Sequence, residues 1–243
     1  MKCYDAYFRD KTYDIYSVDI FDTLLLRKYQ CEYYRFLEIS KIFKRKLNIK
    51  KCVNSIWLAR IEAARIAYYT FGNDQEKEPN ITYIYKLMFD ILDVNYDDDF
   101  LHSALELELS YESSVLSPNS NLVSFLSDRK KNGSSVIGIS DMYLTSDSIS
   151  RLISNILSGF QLDYLFSSAD LNKSKRKGSL FPYVIDRLGI EDKKVIHCGD
   201  NYHSDYSMPI KFGIIGIYTP RSRLWQAANK LSNYRVMKRL GVL

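Results

Sequence analysis

Apolar and polar residues change rhythm along this chain of 243 residues. The first stretch, YDIYSVDI, is dense in β-branched and aromatic residues and predicts a strand. From about Cys31 to Glu112 the spacing turns helical. EYYRFLEISKIFKRKL carries Phe36, Ile39, Ile42 and Phe43 three and four residues apart, one face of a helix. SIWLARIEAARIAYY repeats the pattern with strong helix formers. ITYIYKLMFDIL and DDFLHSALELELSYE predict two more helices, the second opening on acids that suit a helix N-terminus.

After the turn cluster SPNS, a short helix runs to Lys131 and stops at Asn-Gly. Strands and helices then alternate. SSVIGIS reads as a buried strand and TSDSISRLISNIL as a helix with a Ser/Thr start. DYLFSS is a strand, SLFPYVIDRLG a helix, and KKVIHCG and GIIGIYT are strands. This alternation predicts an α/β fold, a Rossmann-like parallel sheet with helices on both faces, interrupted by an all-helical insertion. The expected division is a core of residues 1–28 and 113–243 with residues 29–112 inserted after the first strand.

Polar residues follow the predicted strands. The first ends in Asp19, VIGIS in Ser140 with Asp141 behind it, and KKVIHCG in Gly199 and Asp200, with Asp205 five residues on. LNKSKRKGSLF adds Lys175. Any one of these is an ordinary cap or turn residue. In an open parallel sheet, however, ligands bind outside the carboxyl ends of the strands, so all of them converge on one rim. Carboxylates crowded there repel unless a cation lies among them. Oxygen ligands on short loops suit a hard ion such as Mg²⁺. A hydroxyl and an ammonium opposite make a site for a tetrahedral anion. The combination is that of phosphoryl transfer through an aspartyl-phosphate.

Bulk properties narrow the reading without redirecting it. Hydrophobic residues at 46% and charged residues at 26% are globular composition. A net charge of +5 is too small to argue for nucleic acid. Cys3, Cys31, Cys52 and Cys198 show no metal-type spacing and read as thiols of a reducing compartment. No apolar run reaches the length of a membrane span and the N-terminus has no signal-type core, so the expected location is the cytoplasm.

In SVDIFDTLL, VIGIS, SKRKGSLF and CGDNYHSD, read in that order, the chain resembles the haloacid dehalogenase (HAD) superfamily, a group made up mostly of phosphatases. The resemblance spans residues 14–218, and the helical insertion resembles the family's C1-type cap. VDIFDTLLLR around Asp19, with ISDMYL and GDNYHSD, is similar to a bacterial subgroup that accompanies surface-polysaccharide glycosyltransferases. The resemblance implies Asp19 as nucleophile and metal ligand, with the carbonyl of Phe21 and the side chain of Asp200 completing the protein's share of a Mg²⁺ shell. It implies Ser140 and Asp141 at the phosphoryl group, Lys175 neutralising Asp19 and phosphate, Asp205 in support, and Thr23 fixing the turn. A small phosphorylated substrate follows, sugar phosphates included, and a glycosyltransferase or other polysaccharide-assembly partner.

The departure is at Phe21, where phosphatases of this family usually carry a second Asp to protonate the leaving group. Asp22, one residue on, is the candidate substitute. Two other readings stay open: a catalytically weak or inactive partner module in polysaccharide biosynthesis, and a 2-haloacid dehalogenase, since those enzymes also have an aromatic residue there but need no metal. His203 and Arg27 are lesser candidates for substrate contact. His197 reads as a core residue and His102 as a surface one. The C-terminal RSRLWQAANKLSNYRVMKRL predicts a basic helix that packs on its own core through the stripe Leu224, Ala228 and Leu231, or else docks a partner.

Overall fold

The computed structural model describes residues 12–73 and 78–241, so Cys3 and the rest of the N-terminal segment lie outside the described residues. In chain order the strands are β1 (Ile15–Val18), β2 (Leu25–Arg27), β3 (Leu116–Pro118), β4 (Ser135–Ser140), β5 (Tyr164–Ser167), β6 (Val195–Gly199) and β7 (Ile215–Tyr218). The main helices are α1 (Glu32–Lys46), α2 (Val53–Asn73), α3 (Ile81–Leu92), α4 (Asp98–Val115), α5 (Ser120–Lys131), α6 (Ser146–Ile156), α7 (Ser168–Leu171), α8 (Leu180–Leu188) and α9 (Arg223–Arg239).

The chain forms two compact units. The first holds described residues 12–27, 78 and 116–221. Its sheet has five parallel strands in the order β5-β4-β1-β6-β7. β1 lies at the centre, and all four of its residues are buried. Helices cover the sheet, as the near-continuous apolar runs of its inner strands require. Ile15, Ile137, Ile139, Phe181, Val184 and Val195 form one core cluster between β1, β4, β6 and α8. Local chemistry sets the helix starts: Asn119 caps α5 and Thr145 caps α6, each accepting a backbone N–H with its side-chain oxygen.

The sequence pattern missed a two-stranded antiparallel ribbon, β2 with β3, because strands of three residues carry no readable alternation. The ribbon begins where the chain leaves this unit and ends where it returns. Asn119 ties it down, its backbone N–H donating to the Leu24 carbonyl at 2.9 Å and its side chain to the Thr23 carbonyl at 2.8 Å.

The second unit holds described residues 28–73, 79–115 and 222–241, all helical in architecture. Phe36, Phe43, Ile84, Tyr85, Met88 and Phe89 are among its buried apolar residues on α1 and α3. Two buried ion pairs cross it, Arg35 to Glu112 at 2.7 Å and Arg60 to Glu108 at 3.5 Å, and the Tyr85 hydroxyl donates to Glu108 at 2.5 Å. The Arg60 guanidinium lies 4.1 Å over the Phe36 ring, which shields its charge on an apolar face.

Two features differ from the sequence-based expectation. Residues 222–241 group with the inserted helices. Here Ser232 accepts from the Cys31 backbone at 3.1 Å, Asn229 donates to the Tyr29 carbonyl at 3.1 Å, and Arg239 lies 5.7 Å over Trp57. The packed face of α9 is also another one. Val236 is buried with Phe36 and Trp57, whereas Leu224 is 84% and Leu231 49% exposed. At 100° per residue, Val236 stands about 120° around the helix from Leu224, so α9 carries two apolar stripes and only one is covered.

Candidate active site

Asp19 follows β1, Ser140 ends β4 and Asp200 follows β6, so three adjacent parallel strands deliver them to one edge of the sheet. Lys175 comes from the loop before α8 and Asp205 from a π-helical turn, Tyr202–Ser207, that Asn201 caps. The Lys175 ammonium donates to Asp19 Oδ1 at 2.6 Å and to Asp205 Oδ1 at 2.7 Å. All three groups are buried. Carboxylate oxygens of Asp19, Asp200 and Asp205 lie within 4.8 Å of one another.

The electrostatics follow from burial and crowding. Burial first, then the neighbouring Asp205 and Asp200, push the Asp19 carboxyl from 3.8 up to about 8 despite Lys175. Burial, Asp22 and Asp205 push Asp200 up to about 6. Asp205 moves the other way: burial opposes its charge, but Lys175 and His197 outweigh it and hold the carboxyl well below the usual range. Burial likewise disfavours the Lys175 ammonium, yet Asp19, Asp205 and Asp141 keep it firmly charged. One lysine thus serves a cluster with more negative charge than it can balance. A hard divalent cation fits that deficit and that donor set.

The hydrogen bonds divide the acids by task. Asp205 has both oxygens engaged, taking Lys175 and His197 (3.2 Å) on Oδ1 and the Asn201 backbone N–H (3.0 Å) on Oδ2. Asp200 makes no side-chain hydrogen bond to another described residue. The Phe21 carbonyl accepts none of the backbone bonds of its turn, which run to the carbonyls of Asp19, Ile20 and Leu25. Asp19, the Phe21 carbonyl and Asp200 therefore have more lone pairs free for an ion than Asp205 has. Asp205 packs against Gly199 so closely that a Cβ at that position would overlap its carboxylate, which explains the glycine of CGD.

Asp141 turns its carboxylate to the 174–176 loop, accepting from the backbone of Lys175 (2.7 Å) and Arg176 (3.0 Å) and from the Ser174 hydroxyl (3.0 Å). It positions Lys175, and its side chain presents no donor to an anion. Ser140 is buried at the strand end, and its hydroxyl has no partner among the described residues. Thr23 is buried, with its hydroxyl oxygen likewise unbonded.

Asp22 sits in a left-handed turn at φ 62°. Its Oδ1 accepts from Arg221 at 2.6 Å and from the Arg27 backbone at 3.3 Å, and Arg27 lies 3.6 Å from Oδ2. The Arg27 guanidinium also covers the Phe21 ring at 4.2 Å. These contacts make Asp22 and Arg27 parts of the turn. His203 reaches the Arg176 carbonyl at 3.1 Å, a loop contact, and His102 is on the surface, 3.8 Å from Glu106.

The sequence reading took His197 as a core residue and passed over Ser17 and Glu78. His197 and Ser17 are register partners on β6 and β1, and the Ser17 hydroxyl meets His197 Nδ1 at 2.7 Å. Burial lowers the affinity of His197 for a proton, so the neutral ring takes the Ser17 hydroxyl on Nδ1 and donates from Nε2 to Asp205. A buried line Ser17–His197–Asp205–Lys175–Asp19 results. Its signal was available: Ser17 stands two places before Asp19 and His197 three before Asp200, polar residues in otherwise apolar strands. The other residue passed over is Glu78, whose carboxyl is raised by burial and by Asp141. Nothing in its local sequence marks it.

No protein-family model and no curated protein matches the chain. Its fold is of the HAD type, an α/β sheet with several extra helices. It is similar to a 2-haloacid dehalogenase from Pseudomonas syringae pv. Tomato, with a TM-score of 0.62 at 14% identity over 85% of this chain and 86% of that one. It is also similar to a HAD family enzyme from Bacteroides thetaiotaomicron in complex with magnesium and inorganic phosphate, with a TM-score of 0.55 at 14% identity over 87% and 96%. A dehalogenase with an intermediate complex aligns with a TM-score of 0.51 at 15% identity over 88% and 90%. No helix among the described residues is long and apolar enough to cross a membrane.

Proposed function

We propose that the protein is a Mg²⁺-dependent phosphatase or phosphotransferase that acts on a small phosphorylated metabolite through an aspartyl-phosphate on Asp19. The observation that carries this reading is the arrangement of Asp19, 2.6 Å from Lys175, in a cluster with Asp200 and Asp205 whose charge and donor set suit a further cation. A bound Mg²⁺ would supply charge neutralisation as the Asp19 carboxylate meets the phosphoryl group. Asp19, Asp200 and the Phe21 carbonyl would hold it.

The chain's own groups do the rest. A free oxygen of Asp19 attacks phosphorus, an O–P bond forms, and the bond to the leaving oxygen breaks. Lys175 and the unbonded Ser140 hydroxyl donate to the phosphoryl oxygens. Asp205, fixed by His197 and Asn201, keeps Lys175 in place. Water or an acceptor hydroxyl then attacks the same phosphorus and frees the Asp19 carboxylate. Proton delivery to the leaving oxygen is the weak point. Phe21 offers none, and Asp22 is held by Arg221 and Arg27. General acid–base help is worth about 10²–10⁴-fold. The site therefore favours substrates whose leaving groups need little protonation, or transfer to an acceptor other than water. A sugar phosphate in polysaccharide assembly, handled in the cytoplasm beside a glycosyltransferase, is the setting the motif resemblance supports.

The test is a phosphate-ester screen with and without Mg²⁺, run on wild type and Asp19→Asn together. Mg²⁺-dependent turnover by wild type alone is expected. Chloride release from 2-haloacids without metal identifies a dehalogenase instead. A protein that binds Mg²⁺ yet leaves every ester intact is a partner module.

A further inference from the structure

The last carboxylate side chain in the sequence is Asp205; residues 206–243 contain seven Lys and Arg and no Asp or Glu. Taking those seven from the net +5 leaves −2 for the rest of the chain, so the basic character of this protein belongs to its tail. Most of it lies on or beside α9, whose 17 residues span about 25 Å. Arg223, Lys230, Arg235 and Lys238 form no ion pair among the described residues. Between them runs the uncovered stripe, with Leu224 84% and Leu231 49% exposed and Tyr234 at its flank 53% exposed. Beside Leu231 opens a cavity of about 490 Å³, lined by Tyr29, Tyr34, Ala228, Leu231, Ser232 and Arg235.

We infer that this face of α9 is a peripheral docking surface for an anionic phospholipid bilayer, with the Tyr29–Arg235 cavity receiving a headgroup. The two stripes of α9 explain the arrangement: Val236 and its neighbours anchor the helix to the helical unit, and the leucines are left for another apolar medium. Leucines on the crest of a helix, with cations on both sides, match a planar interface: the apolar tips enter the acyl boundary while long Lys and Arg stems reach the phosphates. A deep protein groove would instead need the leucines along a face that a partner can enclose. Tyrosines at the edge, apolar in body and polar at the tip, suit the headgroup layer. Inside the cavity, Arg235 and the hydroxyls of Tyr29, Tyr34 and Ser232 are donors of the kind that a phosphodiester accepts.

Cosedimentation of the full chain with vesicles of phosphatidylglycerol in phosphatidylcholine, against phosphatidylcholine alone, tests this. Binding to the anionic vesicles alone, weakened by salt, is expected. Each cation near such a surface contributes about fivefold, so Lys230→Ala with Lys238→Ala lowers partitioning roughly 30-fold. Leu224→Ser with Leu231→Ser lowers it by about tenfold or more. Both positions are exposed, so the circular dichroism spectrum and melting curve of the variants stay those of wild type. Equal binding to neutral vesicles, no binding to either, or binding that the substitutions leave unchanged overturns the inference. So does concentration-dependent self-association that the leucine substitutions abolish while vesicles are ignored, because a second copy would then cover the stripe.

Discussion

Replacing Lys175 with Met removes the only side-chain cation within hydrogen-bond reach of Asp19 and Asp205 among the described residues and keeps most of the volume. Its ammonium is 2.6 Å from one carboxylate and 2.7 Å from the other, and it is 2% exposed. Without it, Asp205 keeps only a neutral histidine and a backbone N–H. A carboxylate so placed takes up a proton rather than stay charged and unpaired. Its ordinary value is 3.8, so protonation at pH 7 costs about 4 kcal/mol, at about 1.36 kcal/mol per pH unit. That agrees with the roughly 3–5 kcal/mol typical of breaking a buried pair. At pH 5 the same cost falls to about 1.6 kcal/mol. Urea unfolding of the metal-free proteins, followed by near-UV circular dichroism, measures both. The variant should be less stable by about 4 kcal/mol at pH 7 and by less than half of that at pH 5. A deficit under 1 kcal/mol, or one that is the same at both pH values, would refute the account of Lys175 as the counter-ion of the cluster.

Wild type has its own pH signature. Asp19 holds its proton up to about 8 when folded and releases it near 3.8 when unfolded, so the folded state binds the extra proton between those values. The contribution of Asp19 to metal-free stability is then full below pH 4 and declines as pH rises toward 8. Mg²⁺ must displace that proton, so the increase in melting temperature on adding it should be larger at pH 8 than at pH 6; a reversed order contradicts the assignment. Gly199→Ala forces a methyl group into the Asp205 carboxylate and should weaken Mg²⁺ binding, read by calorimetry, and stability together. Phe21→Asp introduces the acid that phosphatases of the resembled superfamily usually carry and should speed hydrolysis of esters with poor leaving groups by about 10²-fold or more, while barely changing esters with good ones. An equal effect on both classes removes proton delivery as the limiting feature.

The α/β alternation was legible because buried parallel strands are short apolar runs and helices repeat at three and four, patterns that local sequence enforces. The residues at strand ends were legible for the same reason: once β1, β4 and β6 are parallel neighbours, topology alone sends Asp19, Ser140 and Asp200 to one edge. Less local facts were hidden. The β2–β3 ribbon pairs residues about 90 positions apart, as in the Ser117 hydroxyl bond to the Leu26 carbonyl at a separation of 91. Likewise, the choice between the two stripes of α9 depended on where Trp57 and Phe36 stand.

What this sequence determined by itself was periodicity, hence the elements, their order and the acidic strand ends. Only the folded chain decided what each polar group touches. Asp22 and Asp205 look alike in the sequence as acids in short polar loops, yet one is clamped between Arg27 and Arg221 and the other between Lys175 and His197. The reason is physical: a carboxylate's work depends on its charge neighbours within a few ångströms, and those come from segments up to 199 residues away.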